Sequence, residues 1–303
     1  MAGYLEGKSV AVTGAGSGIG RAIALACAAE GAGVVVADYG VTLDGADPSS
    51  EVADGVVSEI EAAGGQAVAV ASDVGTMAGG EAVVQAALDT WGSIDGVVCV
   101  AGILRERMLF NMSEEEFDEV VRVHLKGHFT VYKHASAVMR KQEGGGALVG
   151  ITSGAFVGST AQANYSAAKG GIVSLTKSAA IALRRYGISA NCIAPTARTR
   201  MSENVPFEIE TGEPEDVAPM AVYLMGDAAR SITGQIYTVV GPRVAVWNQP
   251  GELRSAWAPE GAPWTPTQLE EWVPATIGVE EHPFMAAIDD RLRQMKEKEA
   301  SGR

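Results

Sequence analysis

The chain has 303 residues, 47% of them hydrophobic and 20% charged, with 23 basic and 37 acidic side chains for a net charge of −14. It is long enough for a sizeable core, too apolar for intrinsic disorder and too mixed for a coiled coil. So acidic a surface repels phosphate backbones, which argues against nucleic acid and anionic membranes as partners. No apolar run is long enough to span a bilayer, and Met1–Lys8 lacks the basic stretch and apolar run of a secretory leader. The three cysteines, Cys27, Cys99 and Cys192, are odd in number and lie in apolar segments. They read as reduced core residues of a cytoplasmic protein.

In chain order, short Val-rich runs alternate with longer Ala-rich periodic ones. Strands are predicted at 9–13, 33–38, 66–71, 94–100, 147–151, 189–193 and 236–240. They are nearly uniform in polarity, as strands buried on both faces are. Helices are predicted at 19–30, 50–63, 78–91, 114–140, 164–186 and 215–225. Ser113 is expected to cap the fourth of these, with Glu116 closing a capping box. The alternation implies a parallel sheet with right-handed crossovers, a doubly wound α/β domain. After Arg243 the composition changes: four of the five Trp and six of the twelve Pro lie there. A main domain of 1–243 and a Trp/Pro-rich C-terminal extension of 244–303 are therefore expected.

The first strand runs into Gly14-Ala15-Gly16-Ser17-Gly18-Ile19-Gly20 and then a helix. Such a loop brings backbone N–H groups and a helix N-terminus against a pyrophosphate, where a Cβ would block the approach. The spacing, Gly14-x3-Gly18-x-Gly20, is not the strict G-x-G-x-x-G, and alone it fits a tight turn equally well. Asp38 at the end of the second strand adds to it. A carboxylate there accepts hydrogen bonds from both adenosine ribose hydroxyls and repels a 2′-phosphate. No Arg or Lys lies inside the loop or directly after Asp38, so NAD is expected over NADP. Asp73 after the third strand fits either the adenine edge or a helix cap. Ala101-Gly102 after the fourth fits either a close approach to the cofactor or a plain turn.

Tyr165 and Lys169 stand at i and i+4 on a predicted helix and share a face. Tyr4–Lys8 has the same spacing, but no helix is expected there. Tyr165 opens the helix after the fifth strand, near the sheet edge where open α/β folds bind ligands. Ser153 ends that strand. Oxidation of a secondary alcohol needs a base for the hydroxyl proton. A phenol titrates near about 10, so a neighbouring ammonium and a positive nicotinamide ring must favour the phenolate. Ser153 would hold the substrate oxygen in line.

Together, Thr13-Gly14-x3-Gly18-Ile19-Gly20, Asp38, Asp73-Val74, Ala101-Gly102, Ser153 and Tyr165-x3-Lys169 resemble the short-chain dehydrogenase/reductase family, over about residues 5–243. The resemblance implies a Rossmann-type domain of about seven parallel strands, an NAD(P) cofactor and a homotetramer or dimer. It makes Tyr165 the general acid/base, with Lys169 lowering its pKa and binding the nicotinamide ribose. Ser153 would orient the substrate, and Pro195-Thr196 would lie by the carboxamide.

Three positions depart from the family pattern. Cys99-Val100 stands where the family often has Asn-Asn. His124 stands where it often has a catalytic Asn, and fits either helix packing or a proton relay near Lys169. The Ser-to-Tyr spacing is one residue short, which leaves Thr152 as the alternative to Ser153. His124, His128 and His134 lack a further ligand at metal-binding spacing, so no metal is expected.

The segments Ala101–Arg107, Val123–Gly127, Ile193–Met201 and Pro214–Pro219 are similar to the (3R)-hydroxyacyl-CoA dehydrogenase domain of peroxisomal multifunctional β-oxidation enzymes and related steroid dehydrogenases. The net charge opposes a polyphosphorylated CoA substrate. Arg105, Arg107, Arg198, Arg200 and Arg243 could form a basic mouth, or be ordinary surface residues. The stretch between Pro195 and Glu215 is short for a lid, and the extension is expected to replace that cover, in its own subunit or a neighbour's. The competing reading is a non-catalytic NAD-binding or redox-sensing scaffold, supported by Cys99, Val100 and His124.

Overall fold

The computed structural model describes residues 3–40, 49–197 and 211–247, together with Gln268, Leu269, Glu271, Ala275, Arg293, Gln294 and Glu297, which are helical. The chain divides into two compact units, Met1–Trp247 and Asn248–Arg303. The expected lid between Pro195 and Glu215, Arg198, Arg200 and the Trp residues after Trp247 fall largely or wholly outside the described residues.

Within the first unit the strands are β1 (Ser9–Thr13), β2 (Gly33–Ala37), β3 (Gln66–Val70), β4 (Gly96–Cys99), β5 (Gly146–Ile151), β6 (Ile188–Pro195), β7 (Ile236–Val240) and β8 (Arg243–Val246). Their order in the sheet is β3-β2-β1-β4-β5-β6-β7-β8. β1 through β7 run parallel, and β8 returns antiparallel to β7. The central strands are buried along their whole length, consistent with their Val- and Ala-rich runs.

The helices are α1 (Gly18–Ala29), α2 (Glu51–Ala62), α3 (Met77–Trp91), α4 (Glu114–Val121), α5 (Gly127–Met139), α6 (Ala163–Leu183) and α7 (Pro214–Met225). Residues of α1, α2 and α7 pack into one apolar layer against the sheet. Residues of α3, α5 and α6 pack into layers that hold other strand residues. Two covered faces make the doubly wound architecture.

Two expectations change. The sheet has an eighth strand, missed because it is four exposed residues following a tight turn. The expected boundary at 243 falls on its first residue, and the first unit runs on to Trp247. The helix expected over 114–140 is two helices joined by a π-helical turn, Arg122–Lys126. Its start is as expected: Ser113 Oγ accepts the Glu116 N–H at 3.1 Å, and Glu116 Oε2 accepts the Ser113 N–H at 2.9 Å. One wide turn between two helices leaves no break in the helical run, so the sequence reading joined them.

Leu148 lies fully buried at the middle of β5, whereas Ile181 on α6 is 84% exposed. Leu148→Ala is expected to cost about 2–5 kcal/mol through the cavity it leaves. Ile181→Ala should change stability by no more than about 0.5 kcal/mol. Urea unfolding of both variants checks the contrast.

Candidate active site

The sheet register brings the site together. Thr13 pairs with Ala37 on one side and with Cys99 on the other. The chain leaving each strand, at Gly14, Asp38 and Val100, therefore emerges along one edge. Here the strand order reverses, which opens the crevice where such sheets bind ligands.

Gly14 has φ +65°, and a Cβ on it would lie 2.7 Å from Ala101 N. A Cβ on Gly20 would lie 2.0 Å from Gly14 O, so the loop and the start of α1 pack backbone to backbone. Ser17 precedes α1, and no acidic side chain lies in its first turn. The helix dipole thus faces the loop uncompensated, as an anion site requires. Ile19 packs against the apolar layer below. Asp38 is pinned across the loop: Oδ2 accepts the Gly16 N–H at 2.8 Å and Oδ1 the Gly40 N–H at 2.7 Å. A Cβ on Gly16 would lie 2.8 Å from that carboxylate. This backbone cradle with a fixed carboxylate at its rim has the groups to hold a dinucleotide.

Thr13 braces the opposite rim. Its Oγ1 accepts the Val100 N–H at 3.1 Å and the Ala101 N–H at 3.3 Å. The bracing that Cys99-Val100 cannot supply thus comes from β1. Asp73 does not cap α3; Thr76 does, accepting the Gly79 N–H at 3.0 Å. Asp73 accepts the Gly75 N–H at 2.9 Å and pairs with Arg122 Nη1 at 2.6 Å. Val74 is buried, and its carbonyl accepts the Thr130 hydroxyl at 2.6 Å.

Tyr165 and Lys169 lie on α6, the lysine fully enclosed. Lys169 Nζ donates to Ile151 O at 2.7 Å and sits 5.3 Å from the centre of the Tyr165 ring. Ser153 opens a short 3-10 turn after β5, its Oγ accepting the Ala155 N–H at 3.2 Å. Its hydroxyl also lies close enough to the Tyr165 phenol to favour the ionised form. Thr152 faces the other way and donates to Lys169 O at 2.9 Å. Of the two residues, Ser153 is the one that meets Tyr165. Burial pushes the Tyr165 phenol up to about 12, with Ser153 partly offsetting it. Burial also pushes Lys169 down to about 7. The cost of leaving water decides the direction for the phenol, against the expected lowering.

His124 occupies the π turn, buried and edge-on to Tyr165 at 5.2 Å between ring centres. Its Nε2 lies 3.1 Å from the Ile103 N–H and 2.8 Å from the Ile103 carbonyl. One tautomer accepts from the first, and the other donates to the second. Nδ1 is buried without a hydrogen-bond partner. A Cβ on Gly102 would lie 2.1 Å from His124 Cε1. The small residues Ala101 and Gly102 thus admit Gly14 and the His124 ring respectively. His128 packs below, its Nδ1 2.7 Å from His124 O. Among the described residues no cluster of three His, Cys, Asp or Glu could hold a metal.

Pro195 ends β6 at the same edge, and Thr196 is held by Val239 O and Gly212 N. Of the expected basic mouth, Arg107 is paired with Glu116 at 2.7 Å, and Arg243 lies on β8. Sequence reasoning named Thr13 without its bracing role and missed two contributors, Arg122 and the buried Asn164 directly before Tyr165. The available signal for Asn164 was a carboxamide in the first turn of a helix, where backbone N–H groups lack internal partners.

Residues 14–241 match a family model described as enoyl-(acyl carrier protein) reductase. A hydroxyacyl-CoA dehydrogenase of Mycobacterium tuberculosis is 43% identical over 281 residues, covering 88% of this chain and 87% of that protein. The peroxisomal multifunctional enzyme type 2 of Mus musculus is 44% identical over 231 residues, covering 76% of this chain but 31% of that protein. A crystal structure of a short chain dehydrogenase from Mycobacterium avium aligns with a TM-score of 0.80 at 43% identity, covering 92% of this chain and 97% of that one.

Burial holds both His124 and His128 below the ordinary histidine range, His128 at about 3. The unfolded chain binds these protons near pH 6.5, and the folded one does not until far lower. The contribution of the two histidines should therefore be full above about pH 6.5 and fall as pH drops. Each group contributes up to about 1.4 kcal/mol per pH unit. Urea midpoints at pH 7, 6 and 5 check this, and His128→Asn should flatten the slope.

Proposed function

The chain belongs to the short-chain dehydrogenase/reductase family and is an oxidoreductase, and from that premise we propose that it interconverts a secondary alcohol and a ketone on a bulky substrate, using NAD. The observation that carries this reading is the meeting of Ser153, Tyr165 and Lys169 at the sheet edge that also carries the glycine loop and Asp38.

NAD bound in the cradle would supply the hydride acceptor and, when oxidised, a positive charge that favours the phenolate. Gly14–Gly20 would hold its pyrophosphate and Asp38 its adenosine ribose. Asp73-Val74 and Ala101-Gly102 would line the adenine side and the floor. Lys169 and Pro195-Thr196 would lie by the nicotinamide end. Tyr165 Oη takes the hydroxyl proton as the carbinol hydride leaves, and returns it in the reverse direction. Ser153 donates to the same substrate oxygen and holds it in line. Lys169, anchored on Ile151 O, would favour the phenolate whenever it carries its proton, a state that burial opposes. His124, neutral and edge-on to Tyr165, keeps Nδ1 available for a proton relay.

A (3R)-hydroxyacyl-CoA or a hydroxysteroid is the proposed substrate, supported by the hydroxyacyl-CoA dehydrogenase at 43% identity. The scaffold reading loses its support, because Thr13 supplies the bracing that Cys99-Val100 lacks. The working form is read as a cytoplasmic homo-oligomer acting on a small molecule.

NAD reduction is to be measured over 3-hydroxyacyl-CoAs, hydroxysteroids and terpene alcohols. With the best substrate, Tyr165→Phe should lower turnover by about 10²–10⁴-fold while NADH affinity, read by fluorescence, stays near wild type. Substantial residual turnover would refute the assigned base. Asp38→Asn should narrow the preference for NAD over NADP in the same assay, by removing the charge that repels a 2′-phosphate.

A further inference from the structure

The residue before Tyr165 is fully buried, although it is a carboxamide in the first turn of a helix. Asn164 offers one acceptor and two N–H donors, and all are used. Its Oδ1 accepts the Tyr165 N–H at 2.8 Å, one of the donors a helix start leaves without an internal partner. Its Nδ2 donates to Arg105 O at 2.9 Å, in the segment after β4, and to Glu116 O at 2.8 Å, in α4. Three stretches far apart in the chain converge on this one side chain.

The same junction is fastened a second time. The Arg107 N–H donates to Ala161 O at 2.8 Å, and Arg107 bridges to Gln162. Ala161 holds φ 59°, a left-handed conformation that a residue with a Cβ rarely adopts. The Arg107 guanidinium returns to Glu116, whose carbonyl is the one that Asn164 engages. Two residues before Arg105 lies Ile103, the hydrogen-bond partner of His124 Nε2. The groups that face the Tyr165 phenol and ring therefore come from different elements. They are Ser153 after β5, His124 on the π turn and Lys169 on α6.

We infer that Asn164 is a positioning residue, whose carboxamide clasp locks the start of α6 to Ile103–Arg107 and to α4 and so sets the Tyr165 phenol against Ser153, His124 and Lys169. The inference rests on Tyr165 being the acid/base. Residues 158–160, just ahead of α6, are exposed, and helix ends fray when their N–H groups lose partners. Without the clasp the phenol would be carried on a loose end. A displacement of about 1 Å at a reacting group is enough for a hundredfold loss of rate.

The experiment compares Asn164→Asp with the wild-type chain. The aspartate is isosteric and still accepts the Tyr165 N–H, but it sets an oxygen against two carbonyls in place of their donor. The expected result is a fall in kcat of about 10- to 100-fold, with NADH affinity within twofold of wild type. The acid limb of the pH–rate profile for alcohol oxidation should also move to higher pH, as the phenol leaves Ser153 and Lys169. Loss of core packing alone would not move that limb. Should Asn164→Asp be insoluble, Asn164→Ala, which adds no charge, is read the same way. A folded variant with the wild-type acid limb, or a loss matching only the unfolded fraction in a urea titration, overturns the inference. Tyr165→Phe separates the two ideas. If it retains turnover, the acid/base assignment fails. If it is inactive while Asn164→Asp keeps the wild-type limb, only the role of Asn164 fails.

Discussion

The pairing of β1 with β4 is the constraint on which the rest depends. It is the point where the strand order turns back, and its register puts Thr13 beside Cys99. The glycine loop, the acidic rim at Asp38 and the small residues after β4 then emerge side by side. Thr13 Oγ1 bonds two backbone N–H groups of the neighbouring strand's exit and holds that alignment. A shift of one residue in this register would turn every side chain of one strand to the opposite face.

Burial governs the chemistry beyond that edge. The sequence places a phenol and an ammonium one turn apart, which by charge alone favours the phenolate. Enclosure reverses the balance, raising the tyrosine and lowering the lysine. Both groups are thus poised toward their neutral forms, with Ser153 the one neighbour that favours the phenolate. His124 follows the same logic, because its buried ring is held neutral and its Nε2 meets Ile103 in either tautomer.

The acidic surface and the relatives pull in different directions on the substrate. A net charge of −14 does not attract a polyphosphorylated thioester. Arg107, one of the residues expected to offset it, is already paired with Glu116. That pair does structural work, since Glu116 also closes the capping box of α4 and takes part in the junction ahead of Tyr165.

By itself the sequence determined the local and periodic features. These are the alternation of strands and helices, the glycine loop with Asp38 behind it, the Tyr165–Lys169 pair, Ser153 and the capping box at Ser113. Each is read from residue type and spacing within one element or at the end of a strand, so the local pattern carries the signal. Only the tertiary structure decided what depends on contacts distant in sequence. It turned Thr152 toward Lys169 O and left Ser153 to Tyr165. It paired Asp73 with Arg122 and left the cap of α3 to Thr76. It opened the predicted fourth helix into a π turn for His124, and it placed Asn164 at a junction of three segments. The physical reason is common to all four. A polar side chain that leaves water must find its partners wherever the fold brings them, and the pairs Asp73–Arg122, His124–Ile103, Thr152–Lys169, Asn164–Arg105 and Asn164–Glu116 lie 17 to 59 positions apart.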